Sequence, residues 1–173
     1  MSVDQRRKKI LDLLMDNQSP ITGSKLAKKF GVSRQVIVQD VALLRAQGEE
    51  ILATSQGYII PQQRSSQMVT KTIACIHDGA EIEDELETII KYGGRVKDVI
   101  IEHPIYGELN GLLMIQSKSD LTNFMHKYNN NTVKPLLTLT EGVHLHTIEA
   151  LNQEVLNLIE CKLKEKGYLL IDY

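Results

Sequence analysis

Three residues, Gly31-Val32-Ser33, are all that separates two helical patterns in the first third of this chain, and that short gap constrains the fold more than any other feature. Before it, Ser19-Pro20-Ile21 reads as a loop leading to Thr22, an N-cap residue, and Leu26, Ala27 and Phe30 share one helical face. Gly31 can take the left-handed conformation that ends a helix. Ser33 then caps a third helix in which Ile37, Val41 and Leu44 recur at helical spacing. A first helix is expected over residues 4–16, with Ile10, Leu11, Leu13 and Leu14 inward and Arg6 to Lys9 crowding its start. Ile51-Leu52-Ala53-Thr54 and Tyr58-Ile59-Ile60, joined through Gly57, read as a hairpin. Three helices and a hairpin within residues 1–61 make a winged helix-turn-helix.

Such a unit lays its third helix in the major groove of duplex DNA, with the first residues of that helix on the base edges. Those residues are Ser33, Arg34, Gln35, Val38 and Gln39. Arginine can fork onto guanine and glutamine onto adenine, while Val38 can touch a thymine methyl or pack inward. The charge distribution agrees. Residues 1–67 hold ten Lys/Arg and six Asp/Glu, whereas residues 68–173 hold ten and sixteen. A basic first third suits an anionic partner; a solvated surface and a three-helix protein-interaction module are the alternatives. Gly31 to Gln35 followed by Asp40-Val41-Ala42-Leu43-Leu44-Arg45 resembles the DNA-binding domain of the biotin-repressor type.

Residues 62–67, polar and led by Pro61, have linker composition. Beyond them residues 68–173 alternate between strand and helix patterns, so the expected fold class is α+β, with a small mixed sheet and three helices following the winged unit. Strands are expected over 68–76, 96–102, 109–116, 143–147 and 168–171. Helices are expected over 78–92, with a capping box Asp78-x-x-Glu81, over 117–130, and over 148–166. In the last of these Leu151, Val155, Leu158 and Ile159 form a face that suits the core or a dimer interface.

All five histidines lie in residues 77–146. On a strand, His144 and His146 share one face, and Val143 and Leu145 would fill the core behind them. Two imidazoles side by side can chelate a transition metal. His77 stands between a strand and a helix cap, and Glu85 is the acid nearest the apolar face of the next helix. Three nitrogens and one oxygen from His77, Glu85, His144 and His146 suit nickel, zinc, iron or copper, not magnesium or calcium. Placed about seven residues into its helix, Glu85 meets the histidines only if the chain folds back. A surface His-x-His beside a helix salted with acids fits the same pattern. His103-Pro104-Ile105-Tyr106-Gly107 is a turn whose His103 and Tyr106 offer polar tips to a ligand or simply close a hairpin. His126, beside Lys127, reads as surface.

Order, spacing and length together resemble the nicotinate-responsive, NiaR-type transcriptional repressors, whose C-terminal part is the three-histidine domain. Beyond Gly31 to Arg45, the match is carried by Ile76-His77-Asp78-Gly79, Glu85, Glu102-His103-Pro104-x-Tyr106-Gly107 and Gly142-Val143-His144-Leu145-His146. The resemblance implies one transition metal per chain (nickel, zinc or iron) on His77, Glu85, His144 and His146. It also implies nicotinic acid as co-repressor, homodimers on double-stranded operator DNA, and control of genes for NAD synthesis or niacin uptake.

Other classes fit less well. No nucleophile–base pair or phosphate loop points to an enzyme, although a metal could activate water and a small metalloenzyme acting on a pyridine compound is one rival. A repressor that senses the metal itself is another. A bifunctional biotin-type repressor needs a ligase domain larger than the residues available. No run of 18 apolar residues offers a membrane span, and Asp12 and Asp16 break any signal-peptide core, so a cytoplasmic protein is expected. Cys75 and Cys161 lack metal-type spacing and are expected to be reduced, buried thiols.

Overall fold

Ser2 opens helix α1 (Val3–Asp16) with a capping box, its hydroxyl accepting from Gln5 N–H while the Gln5 side chain accepts from Ser2 N–H. The computed structural model describes residues 1–61 and 68–170, in two units, Met1–Ser65 and Ser66–Tyr173. The linker expected over 62–67 lies outside the described residues.

In the first unit α1 is followed by α2 (Gly23–Phe30) and α3 (Arg34–Ala46), capped by Thr22 and Ser33. Gly31 sits at φ 66° between them, and its N–H bonds back to Ala27. Leu26, Ile37, Val41 and Leu44 meet Ile10 and Leu14 in the core. Strands β1 (Leu52–Thr54) and β2 (Gly57–Ile59) form the wing, tied to the helices by a bridge between Ile21 and Tyr58. Gly57, at φ 133°, has room for no side chain there: a Cβ would stand 2.5 Å from the Ile21 carbonyl oxygen. At the middle of α3, buried Asp40 receives Arg6 and Arg7 from α1 at 2.6 and 3.0 Å.

The second unit is one four-stranded sheet in the order β3-β6-β4-β5, built from β3 (Val69–Ile76), β4 (Arg95–His103), β5 (Gly107–Ile115) and β6 (Val143–Ala150). Helices α4 (Ile82–Lys91), α5 (Lys118–Asn129) and α6 (Gln153–Glu165) follow β3, β5 and β6. The sheet is antiparallel throughout, not mixed. The β3–α4–β4 segment suggests a parallel pair, but β6 slots between those strands and runs against both.

Four local expectations change. The strand expected over 143–147 continues to Ala150, because Ile148 and Ala150 keep the period-two burial, and α6 starts only after Asn152 caps it. Leu151 and Leu158 are therefore exposed, and the buried face of α6 is Leu156, Ile159 and Leu163. Helix α4 begins at Ile82 rather than Asp78. Glu81 accepts from Asp78 N–H, but the Asp78 carboxylate takes Ala80 N–H and closes a turn instead. The final strand reduces, among the described residues, to a bridge between Leu169 and Cys75, with Leu170 N–H donating to Ala74. A 3-10 helix, Leu136–Thr140, precedes β6 and was not legible from periodicity.

Candidate functional site

The late start of α4 places Glu85 in its first turn, where the partial positive charge of the helix N-terminus favours a carboxylate. No long fold-back is needed, because the turn of residues 77–81 returns the chain from His77 directly. Glu85 is 1% exposed and lies among the helices on the inner side of the sheet.

His144 and His146 point to that same inner side. Their faces are the reverse of the simple expectation: the histidines are buried with Ile148 and Ala150, while Val143 is exposed and Leu145 half-buried on the outer side. Glu85 is the reason an imidazole tolerates that burial. Its Oε2 lies 2.7 Å from His77 Nε2 and 3.4 Å from the Nε2 of both His144 and His146. The sequence set His77, Glu85, His144 and His146 is thus brought together on one carboxylate oxygen.

The other ring nitrogens fix the tautomers. His77 Nδ1 lies 2.8 Å from the Asp78 carbonyl, His144 Nδ1 2.8 Å from the Gly142 carbonyl, and His146 Nδ1 2.5 Å from the Asp98 carbonyl. A carbonyl only accepts, so each Nδ1 carries the hydrogen and each Nε2 is left for the centre. Backbone carbonyls on the distal nitrogen are the usual orienting partners of metal-binding histidines. His77 is further held by Tyr168, ring centroids 5.2 Å apart, whose hydroxyl donates to Asp84. Gly142, at φ 92°, lets the chain pass close to His77; a Cβ there would stand 2.4 Å from the His77 carbonyl oxygen.

Burial opposes charge on Glu85, His77 and His146, and their proximity outweighs it. The imidazoles hold the Glu85 carboxyl well below the usual carboxylate range. Glu85 in turn raises His77 and His146 despite their desolvation. Without a cation, a proton on Nε2 of His77 or His146 can donate to the Glu85 carboxylate. With Nε2 deprotonated, three lone pairs lie around one carboxylate, and Glu85 Oε1 is a buried oxygen with no hydrogen-bond partner. That donor set fits a transition metal.

Cys75 is the buried free thiol expected, but sequence reasoning did not place it beside this centre. It pairs with His144 across β3 and β6 and faces the same interior, fully buried. Its Sγ, a Glu85 carboxylate oxygen and a His144 ring nitrogen lie within 4.8 Å of one another. Burial first, and Glu85 second, push the thiol pKa up. The readable signal was the alternation Ile73, Cys75 ahead of His77. Cys161, expected buried, is exposed on the outer face of α6.

His103 and Tyr106 stand apart from this centre in the β4–β5 turn. His103 Nδ1 accepts from the N–H groups of Ile105 and Tyr106, and Tyr106 is 73% exposed. A cavity of about 700 Å³ does lie beside that turn, lined by Pro104, Gly107, Thr140, Val143 and Leu145, and it reaches His144. It sits where β4 and β6 cease to pair beyond Ile100 and Leu145.

In the first unit Arg34, Gln35 and Gln39 are exposed on α3, Val38 is half-buried, and Ser33 spends its hydroxyl on the Val36 N–H. Lys25, Lys28 and Lys29 are exposed on α2. Arg6 and Arg7, by contrast, are committed to Asp40.

Comparison with known proteins agrees with this division. A helix-turn-helix (HTH) domain family matches residues 6–59, and the 3H domain family matches residues 70–172. The chain is 42% identical over 166 residues to "Probable transcription repressor NiaR" of Thermotoga maritima, covering 96% of this chain and 94% of that protein. It is 41% identical over 169 residues to "Transcription repressor NadR" of Bacillus subtilis, with the same coverage. The likeness to proteins named as repressors thus spans both matched domains and 94% of each relative, and this chain belongs to the NiaR-type family of DNA-binding transcription repressors, a regulator and not an enzyme.

Proposed function

We propose that the protein represses genes of NAD synthesis or niacin uptake, with nicotinic acid as co-repressor and a transition metal held by His77, Glu85, His144 and His146. The observation that carries the metal reading is the convergence of three Nε2 atoms, each with its Nδ1 hydrogen already committed, on one buried carboxylate. Nickel, zinc and iron all suit the donors. When bound, the metal supplies a coordination position for the pyridine nitrogen or the carboxylate of nicotinate. Because residues 68–173 are net acidic, coordination rather than long-range attraction has to hold that anion. The cavity whose lining includes His144 is the supporting feature on the ligand side; His103 and Tyr106, in the turn whose Pro104 and Gly107 line it, remain further candidates for ligand contact although they do not line it themselves.

The protein acts as a homodimer in the cytoplasm, on double-stranded operator DNA with two half-sites a whole number of helical turns apart. Nicotinate shifts the dimer toward the spacing of recognition helices that DNA needs, and it can do so only through its higher affinity for that state. Among the described residues no helix is long and apolar enough to cross a membrane.

The test is operator affinity at one fixed salt concentration, with and without nicotinate, before and after chelation. Nicotinate should tighten binding, chelation should remove that effect, and restored metal should return it. The variant His144→Ala/His146→Ala should keep only basal, salt-sensitive binding. A response to metal with none to nicotinate would replace this reading with that of a metal sensor.

A further inference from the structure

We infer that Cys75 is a fifth donor to the metal, binding through its sulfur as the thiolate. The inference rests on the metal reading above and adds to it a ligand of different chemistry.

An ordinary core cysteine packs as a small apolar group among apolar neighbours. Cys75 does so only on one side. Along β3 it alternates with Ile73 toward the interior, but its cross-strand partner on β6 is His144, where Ile73 has His146. In an antiparallel pair such residues bring their Cβ atoms to about 4.5–5.5 Å on the same face. The thiol therefore stands beside the histidine row rather than beneath it. Its Sγ shares a sphere of 4.8 Å with donor atoms of Glu85 and His144, all three residues buried.

A second observation points to a cation at this place. Glu85 Oε2 is surrounded by the three Nε2 atoms, whereas Oε1 is buried with no hydrogen-bond partner. Unpaired buried carboxylate oxygens are costly, and a metal bound beside Oε1 would remove that cost.

Charge balance agrees. Three neutral imidazoles and one carboxylate leave a divalent ion with one uncompensated positive charge in a dry interior, which is unfavourable. A thiolate cancels it, its proton passing to solvent as the metal enters. Sulfur also changes selectivity. It moves preference away from manganese, magnesium and calcium and toward zinc, nickel or copper.

The experiment uses full-length protein with Cys161→Ser, which removes the exposed thiol, loaded with cobalt(II) as a spectroscopic probe. Metal content is measured by elemental analysis on the same samples. A thiolate-to-cobalt charge-transfer band in the near ultraviolet is expected, together with visible ligand-field bands. Adding Cys75→Ser should abolish the charge-transfer band, keep the ligand-field bands, and weaken cobalt binding about tenfold or more. Cys75→Ala serves as the second variant, and circular dichroism checks that each remains folded. Bound cobalt with ligand-field bands but no charge-transfer band in the Cys75-containing protein overturns the assignment of Cys75 while leaving the metal reading intact. Failure to bind cobalt, nickel or zinc at all overturns the metal reading and this inference with it.

Discussion

His146 Nδ1 lies 2.5 Å from the backbone carbonyl of Asp98, across an irregularity in the β4 pairing. The bulge turns that carbonyl toward the ring, and the Asp98 side chain pins it by accepting from Thr147 N–H at 2.9 Å and from the Asn110 amide. Asp98→Ala should leave the fold intact but weaken metal binding roughly 10- to 100-fold, measured by competition with a chromophoric chelator. Asp98→Asn, which keeps the Thr147 bond, should lose less. Equal metal affinity in Asp98→Ala and the parent would show that the bulge does not orient His146.

Gly142 is the tightest point of the site. It combines φ 92° with a Cβ position 2.4 Å from the His77 carbonyl oxygen, and its own carbonyl holds His144. Gly142→Ala should destabilise residues 68–173 by about 1–3 kcal/mol from backbone strain alone. It should also separate His77 from His144, so metal affinity falls more than stability does. Thermal unfolding with and without metal distinguishes the two losses.

On the DNA side, Arg34 and Lys28 should behave differently. Arg34→Ala should cost about 1–3 kcal/mol at the operator and relax the preference at one base pair. Lys28→Ala should weaken binding to all sequences alike and reduce the salt slope by about one. Arg6 and Arg7 are paired to Asp40, so their substitution should lower stability rather than the salt slope. Binding isotherms at several salt concentrations read all three.

Proton and metal compete for the same Nε2 atoms, so apo and loaded protein should respond to pH with opposite signs. In the apo site Glu85 raises the pKa of His77 and His146 against their burial. Their stabilising contribution is complete below the unfolded value of about 6.5 and is lost as pH rises through the folded values. Glu85, held low, contributes fully above the unfolded carboxylate value, and its contribution is lost only in strong acid. Chelated protein should therefore melt at lower temperature at about pH 8 than at about pH 6. Metal-saturated protein should show the reverse, because its ligands must be deprotonated.

The winged unit was legible nearly to the residue because its signals are local: Thr22, Gly31 and Ser33 act within their own turns. The four ligand candidates were legible as types and spacings. Their orientation was not, because the apolar alternation of Val143 and Leu145 points the wrong face inward unless the buried carboxylate of Glu85 is known to lie opposite. Cys75 is the buried, reduced thiol expected, but its place beside the histidines was not legible, for a related reason. Its chemistry comes from the β3–β6 register, a non-local pairing that no single segment encodes. The mixed sheet was expected from the alternation of strand and helix patterns, which does not reveal that β6 inserts between β3 and β4.

Metal content measured on the purified full-length protein tests the central claim most directly. One equivalent of transition metal per chain should survive gel filtration, and the Glu85→Ala and His146→Ala variants should retain none while staying folded. A folded parent protein that takes up no metal after exposure to nickel, zinc and iron, yet tightens on its operator with nicotinate, would contradict the account.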